Sequence, residues 1–379
     1  MEKITVLYVS VDPTMGGSTA SLFNLINGVR NSVVPIVLFP EKGSGYDFFI
    51  KNGIECFICP FVVLYQFKKN RLRDVWNHPW RWHPIKKARI DLKCAWLMKK
   101  KLQGRKIDIV HTNTSPNDVG VYLARLLNAK HIWHVRECLD LHFGAEIYGG
   151  MPKLISKINQ ADARIAVSSF VASHWQMKRE FTYVIYDAAR SVSEATYIIA
   201  KEMYVLFSSY YVTEQKGSRL AVKAFGKSNL WKKGVELLFV GNCKEEYKQS
   251  LMETANEYGC DQNVKFLPCQ PDVKPFFLKA MAFVMASKAE GLPRVVSEAM
   301  FFGCPVLAYS ESGGALDQVK DGETGYVFHD EDQCAKLLNW IYDEPPGQVI
   351  LKAQEFAKRE LSVENYGPKI MKVYNAVLN

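Results

Sequence analysis

The stretch AFVMASKAEGLPRVVSEAMFFGCPVLAY, residues 282–309, reads as one strand–helix–strand crossover. "AFVMAS" is an unbroken apolar run of the kind buried on both faces of a parallel sheet. Pro293 suits the first helical position, where its missing N–H removes no bond. Val295, Ala299 and Phe302 recur as one apolar stripe, widened by Val296 and Met300. Gly303 supplies the stop and Pro305 opens the next strand, "PVLAY". Two glutamates interrupt this pattern. Glu290 sits in the loop at the carboxyl end of the first strand, where ligands of such sheets bind. Glu298 lies on the flank of the helix, four residues after Arg294. A surface pair at i,i+4, worth about 0.3–0.5 kcal/mol, is the plain explanation for it.

Outward from this unit, the same alternation of short apolar strands and amphipathic helices covers most of the chain. Strands are expected near 3–10, 33–39, 54–58, 107–111, 130–135, 163–167 and 183–186, with helices near 18–30, 116–127, 151–160 and 169–179. The pattern then restarts. Strands follow near 203–208, 235–240, 263–267, 282–286, 305–309 and 325–328, and helices near 217–228, 244–257, 272–279, 293–302 and 331–342. Between the halves, "DAARSVSEAT" (187–196) is small and polar and reads as a linker. With 379 residues the chain is too long for one core and suits two domains. The expected fold class is α/β, two doubly wound Rossmann-like domains facing a cleft. The domains are expected at 1–190 and 200–355, with 356–379 a helix packing back on the first.

Composition narrows the class. Hydrophobic residues make up 48 % and charged residues 23 %, values of a soluble globular protein. Ile4 to Val11 is too short for a signal peptide and reads as a first strand. No stretch reaches the length of a membrane span. Nine cysteines are an odd, scattered count. Cys56 and Cys59 have C-x-x-C spacing but lack the second pair a zinc site wants, so they read as core residues of a reducing, cytoplasmic compartment. The net charge of +9 is localised: residues 66–106 carry fourteen Lys/Arg against Asp74 and Asp91, while the rest of the chain is slightly acidic.

After "PVLAY" comes "SESGGALDQVKDGETGYVF" (310–328), a Gly-Gly pair opening a short helix. Amides at Gly313, Gly314 and Ala315 would form a cradle for a phosphate. Two carboxylates for hydroxyls beside a phosphate cradle fit a nucleotide-sugar. At this point the chain resembles a known family. Glu290 and Glu298, followed by Ala-Met, Gly-x-Pro-Val and the Gly-Gly loop, are similar to the donor signature of the family-4 retaining glycosyltransferases, group 1, of the GT-B fold, in the manner of bacterial polysaccharide-type members. Further similarity lies in "VSVDPTMGGSTASLFNL" (9–25), "IDIVHTNTSPNDVGVYLARLLNAKHIWHVRE" (107–137), "ADARIAVSSFVA" (161–172), "KGSRLAVKAF" (216–225) and "LLFVGNCKEEY" (237–247).

The resemblance implies roles. Glu298 is expected to accept hydrogen bonds from the ribose hydroxyls and Glu290 from the donor sugar, since each carboxylate suits a vicinal diol. Gly291, Leu292, Pro293 and Arg294 would line the same donor site. Lys216, with Gly313 and Gly314, would neutralise the diphosphate, the main electrostatic task when a nucleoside diphosphate departs. His134 would reach the sugar from the first domain. Gly16, Gly17, Asn113, Arg136 and Glu137 are expected on the acceptor side. Retention by front-face attack is implied, with a glycan or lipid-diphosphate-linked acceptor. No metal is implied and no cofactor is expected, the nucleotide-sugar being a substrate. The carboxylate run at 330–332 reads as a helix cap, not a metal site.

The sequence departs from the family pattern at four places. "FSSYYVTEQKG" (207–217) has tyrosines where a Gly-Arg pair is usual, so Arg294 or Arg219 would have to assist Lys216. "YDAARSV" (186–192) replaces an Asn-Gly-Val/Ile-Asp stretch, Asp317 replaces a glutamate, and Pro268 replaces a glycine. The basic segment 66–106, with Trp76, Trp80, Trp82 and Trp96, has two readings: a solvated arm whose tryptophans pack on the domain, or an interfacial patch for an anionic membrane, placing the protein peripherally at the inner face. No nucleic-acid module surrounds it, and nucleic acid is not an expected partner. The competing functions are a GT-B-like nucleotide-sugar epimerase or hydrolase, and a non-catalytic nucleotide-sugar binding protein. A dehydrogenase would want G-x-G-x-x-G after the first strand, where this chain has "PTMGGST".

Overall fold

The computed structural model describes residues 3–67 and 84–379; Trp76, Trp80, Trp82 and the first part of the basic run lie outside the described residues. In chain order the strands are β1 (Ile4–Ser10), β2 (Val33–Phe39), β3 (Glu55–Ile58), β4 (Tyr65–Phe67), β5 (Ile109–Asn113), β6 (Lys130–Val135), β7 (Ala145–Ile147), β8 (Ala163–Ala166), β9 (Thr182–Val184), β10 (Tyr204–Tyr211), β11 (Glu236–Asn242), β12 (Val264–Leu267), β13 (Ala282–Met285), β14 (Val306–Tyr309) and β15 (Tyr326–Phe328). They form a seven-stranded sheet in the order β3-β2-β1-β5-β6-β8-β9 and a six-stranded sheet in the order β12-β11-β10-β13-β14-β15. Each adjacent pair in both sheets is parallel. A short antiparallel pair, β4 with β7, stands apart and carries no strong strand signal in the sequence.

The chain divides into two compact units, Met1–Ala188 with Val363–Asn379, and Ala189–Ser362. These bounds differ from the sequence reading at both joints. Residues 189–199 are part of the second unit: Ala189 N donates to Leu361 O (2.9 Å), Thr196 N donates to Phe301 O (3.1 Å), and Ser191 with Glu194 forms a capping box. The supposed linker is thus a paired edge. Residues 356–360, grouped above with the tail, end the helix Gly347–Glu360 of the second unit. Only Val363–Leu378 belongs with the first.

In the first unit side chains alternate across the sheet as strand geometry requires. Val6 and Tyr8 face a cluster with Leu22, Leu25 and Ile26 of helix Gly17–Val29 and Ile370, Val373 and Tyr374 of helix Val363–Leu378. Gly28 and Gly367 let these helices cross backbone to backbone; a Cβ at Gly367 would lie 2.0 Å from Gly28 O. Leu7 and Val9 face the opposite cluster, completed by Cys94, Ala95 and Met98 of helix Pro84–Lys101. The described part of the basic segment is therefore a docked helix, not a solvated arm. Its inward face also carries charge. Lys87 Nζ bonds Asp91 Oδ2 (2.8 Å) and Asp118, Lys157 bonds Asp118 from the other side, and Asp91 Oδ1 accepts from Val62 N (3.0 Å). The two lysines hold the Asp118 carboxyl below its ordinary range against the opposing effect of burial, which is the largest influence on it. Among the described residues no helix is long and apolar enough to cross a membrane.

Candidate active site

In the six-stranded sheet the chain runs outward one way from β10 to β11 and β12, then returns to lay β13 against the other side of β10. The switch point of such a sheet opens between these two strands, at their carboxyl ends. Three loops meet there. The first follows β10 and ends in the short turn Glu214–Lys216, closed by Gly217 at φ 73°. A Cβ on Gly217 would stand 2.1 Å from Ala286 O, at the end of β13, so only glycine lets this turn lie so close. The second loop carries Glu290, preceded by Ala289 in the left-handed region at φ 54°. The third carries Gly313 and Gly314. Glu290 N donates to Ser312 O (3.2 Å), Gly314 N donates to Glu290 O (2.8 Å), and Ala289 N donates to Glu311 O (2.8 Å). Glu290 and Gly313 pair as an isolated bridge.

This stitching brings Lys216 Nζ to 2.7 Å from Glu290 Oε1, across 74 residues of sequence. It also revises the expected amide cradle. The Gly314 amide is donated inward to Glu290 O, and it fastens the two loops together. Gly313, at φ 65°, supplies the sharp turn.

Glu298 lies on helix Arg294–Phe301 and is 9 % exposed. Its ion partner is Arg190, whose Nη2 donates to Oε1 at 3.0 Å, not Arg294. Burial pushes the Glu298 carboxyl up, while Arg190 and Arg294 pull it down. Ser297 Oγ donates to Gln318 Oε1 (2.7 Å) and Gln318 Nε2 donates to Pro293 O (3.3 Å), tying this helix to the one after Gly314. Arg190 is a site residue the sequence reading missed, because it falls in the stretch taken as a linker. Arg219 does not assist Lys216. Its guanidinium binds Glu214 (3.0 Å), Ser250 Oγ (2.9 Å) and Thr254 Oγ1 (2.7 Å), anchoring helix Glu245–Glu257. Tyr210 and Tyr211, in place of the family's Gly-Arg, are exposed and bring no cation.

The remaining candidates belong to the first unit. His134 closes β6 and is fully buried, with Nδ1 3.2 Å from His111 Nε2 on β5 and 3.3 Å from Arg136 Nη2. Burial and the Arg136 charge hold both imidazoles well below the usual histidine range. Asn113 pairs with His134 in the sheet register, and its Oδ1 accepts from Arg136 Nε at 2.7 Å. Arg136 also binds Asp187, which accepts from Tyr366 Oη at 3.0 Å. Glu137 accepts from Ser115 N (2.7 Å) and Ser115 Oγ (2.6 Å). Arg136 and Glu137 are thus held by internal partners. Gly16 caps helix Gly17–Val29, and a Cβ there would lie 2.2 Å from Asp12 Oδ2; Gly17 is unhindered.

Asp330 Oδ1 accepts from Gln333 N (2.8 Å) and caps helix Glu331–Asp343, while Asp332 pairs with Lys227 (2.9 Å). Among the described residues no three His, Cys, Asp or Glu side chains gather as metal ligands.

The chain is 30 % identical over 145 residues to an uncharacterized glycosyltransferase of Haemophilus influenzae, covering 38 % of this chain and 39 % of that one. It is 28 % identical over 167 residues to the amylovoran biosynthesis glycosyltransferase AmsD of Erwinia amylovora, covering 41 % and 45 %. The chain thus spans less than half the length of these curated relatives. The Anabaena Alr3699/HepE structure in complex with UDP matches at a TM-score of 0.77 with 18 % identity, covering 99 % of this chain and 100 % of that one. A glycosyltransferase from Rickettsia africae matches at 0.76 with 17 % identity, covering 100 % of both. The fold is accordingly the two-unit Rossmann-like GT-B fold. The family model described as glycosyl transferases group 1 matches residues 192–359, the span that carries Lys216, Glu290, Glu298, Gly313 and Gly314. Over those residues the chain is similar to the glycosyl transferases group 1.

Proposed function

We propose that this protein transfers a sugar from a nucleoside-diphosphate donor to a glycan or lipid-diphosphate-linked acceptor, with retention at the anomeric carbon. The observation that carries this reading is the Lys216–Glu290 pair, held by three stitched loops at the sheet's switch point. Lys216 supplies positive charge for a diphosphate, and Glu290 and Glu298 supply acceptors for the hydroxyls of sugar and ribose. In the proposed reaction the acceptor hydroxyl forms the new bond to the anomeric carbon as the bond to the β-phosphate oxygen breaks. The acceptor proton passes to the departing diphosphate, whose charge Lys216 stabilises. A uridine nucleotide is the first donor to try, because structural neighbours were crystallised with UDP and with UDP-glucose. Polysaccharide assembly is the proposed setting, after relatives such as AmsD.

A panel of nucleoside diphosphates and their sugars, read by thermal shift, tests the donor site. Glu298→Ala should weaken the nucleotide itself. Glu290→Ala should leave the nucleotide near wild type and lower response to the sugar portion. No shift with any nucleotide would sink the proposal. Turnover of donor without acceptor would instead favour an epimerase or hydrolase, and the anomer of any transfer product decides retention.

We further propose that the site works at an anionic membrane surface. Helix Pro84–Lys101 exposes Ile85, Leu92 and Trp96 as one stripe, bordered by exposed Lys86, Arg89, Lys93, Lys99 and Lys100. An apolar ridge between cations is the pattern of a helix lying in a lipid interface.

A further inference from the structure

Cys56 and Cys59 are separated by an odd number of residues, and an extended chain turns such side chains to opposite faces of its sheet. Cys56 packs in the layer with Val37, Phe39 and Phe49, and its Sγ points back to Ile54 O at 3.4 Å. Cys59 packs in the other layer, where it meets Cys94 of helix Pro84–Lys101. The C-x-x-C spacing therefore makes no pair, and a cysteine 35 residues further along does.

The contact is reciprocal. Cys59 Sγ lies 3.8 Å from Cys94 O, Cys94 Sγ lies 3.8 Å from Cys59 O, and the two thiols hydrogen-bond to one another. Both sulfurs stand on fixed main chain. Cys59 N donates to Phe39 O (3.0 Å) and Lys101 Nζ donates to Ile58 O (3.0 Å), which ties the end of β3 to β2 and to the helix that carries Cys94. The bond from the Cys94 thiol, with the charges of Lys101 and Lys93, pulls the Cys59 thiol below its ordinary range against the effect of burial. Cys59 and burial push the Cys94 thiol up. One sulfur is thus the readier thiolate and its neighbour keeps a proton, the asymmetry that separates an attacking from a resolving cysteine. The two residues are 2 % and 1 % exposed, so local opening admits a small oxidant while bulky reagents are kept out.

We propose that Cys59 and Cys94 are a peroxide-oxidisable pair that closes to a disulfide between the end of β3 and helix Pro84–Lys101. The Cys59 thiolate attacks one oxygen of hydrogen peroxide, the O–O bond breaks, and the departing hydroxide leaves as water with the proton Cys59 gave up. The sulfenic acid so formed is attacked by the Cys94 sulfur. An S–S bond forms, the S–O bond breaks, and the hydroxyl leaves as a second water with the Cys94 proton. Two thiols are oxidised by two electrons and one peroxide is reduced to two waters. A thiol reductant reverses the bond. The disulfide clamps to the sheet the helix whose outer face exposes Leu92 and Trp96. This chemistry requires nothing of the sugar-nucleotide site.

The test treats the folded, reduced full chain with excess hydrogen peroxide, blocks remaining thiols with N-ethylmaleimide under denaturing conditions, and maps the peptides by mass spectrometry. A Cys59–Cys94 linked peptide is expected, lost again after dithiothreitol. The oxidised protein should melt roughly 5–10 °C higher than the reduced one, since the bond closes a long loop at residues already in contact. Cys56→Ala should form the same link. Cys94→Ala lacks the resolving thiol, so dimedone should label Cys59 there several-fold more than in wild type. Treated wild type in which Cys59 and Cys94 are both recovered as free thiols overturns the proposal. So does a Cys56–Cys59 link in its place, or a Cys59–Cys94 link that lowers Tm.

Discussion

Arg190→Met is the most informative perturbation of the second unit. It keeps a long apolar stem and removes the cation 3.0 Å from Glu298 Oε1. Glu298 is 9 % exposed, so water cannot replace the lost partner. Breaking a buried pair from one side costs about 3–5 kcal/mol. Two effects reduce this: the field of Arg294 persists, and the carboxyl can take up a proton, each unit of pKa rise being worth about 1.4 kcal/mol. The expected loss is roughly 2–4 kcal/mol at pH 8, or about 5–15 °C in Tm for a unit of this size. The pH sense is fixed. The folded Glu298 carboxyl already lies above its ordinary value because of burial, and losing Arg190 raises it further. The folded state therefore binds the proton more readily than the unfolded chain, and stability from this group is present at low pH and lost as pH rises through the folded pKa. The deficit of the variant should shrink toward zero as pH falls to the ordinary carboxylate range. Urea denaturation at pH 5 and pH 8, repeated on Glu298→Gln and on the double variant, measures it. The double variant should recover about 2 kcal/mol relative to additivity. Equal losses at both pH values, or simple additivity, would refute the buried-pair argument.

Gly217→Ala should destabilise the second unit by about 2–5 kcal/mol, combining left-handed strain with a clash against immovable backbone at Ala286 O. It should also blunt any nucleotide-induced thermal shift, because Lys216 is the preceding residue; a loss under 1 kcal/mol with unchanged nucleotide response would show that the turn relaxes freely. The membrane proposal predicts sedimentation with anionic vesicles at low salt and release at high salt. Lys93→Glu with Lys100→Glu should weaken this tenfold or more, and equally poor binding of wild type to neutral and anionic vesicles would dismiss the idea.

The architecture was legible wherever chemistry is local. Residues 282–309 carry their own strand, proline start, apolar stripe and glycine stop, and they form β13, helix Arg294–Phe301 and β14 within a residue or two of expectation. Asp330 was legible as a cap for the same reason, since its partner Gln333 is three residues away. Helix Ser44–Lys51 was not, because it opens at Gly43 with no side-chain cap and buries only Gly45 and Phe49, so it carries neither a start signal nor an apolar stripe. Helix Pro84–Lys101 was hidden differently. Its inward stripe contains Lys87 and Asp91, which read as solvent-facing until Asp118 and Lys157 are brought in to neutralise them.

The site divides along the same line. Glu290 and Glu298 announced themselves because a carboxylate in a loop or on a core helix is locally out of place. What each carboxylate pairs with could not be read, since Lys216 is 74 residues from Glu290 and Arg190 is 108 residues from Glu298. Polar, small-residue sequence is compatible both with a solvated linker and with a backbone edge that closes a unit; at 187–196 only the pairing with 361 and 301 separates them. The limit is sharpest in the core of the first unit, where Tyr374 Oη meets His111 Nδ1 at 2.9 Å across 263 residues. A tyrosine in a terminal amphipathic helix satisfies the apolar stripe whether or not its hydroxyl has a task. Hydrophobic pattern accounts for the ring and is silent about the oxygen, so the polar half of such a residue becomes readable only when the strand it packs on is known.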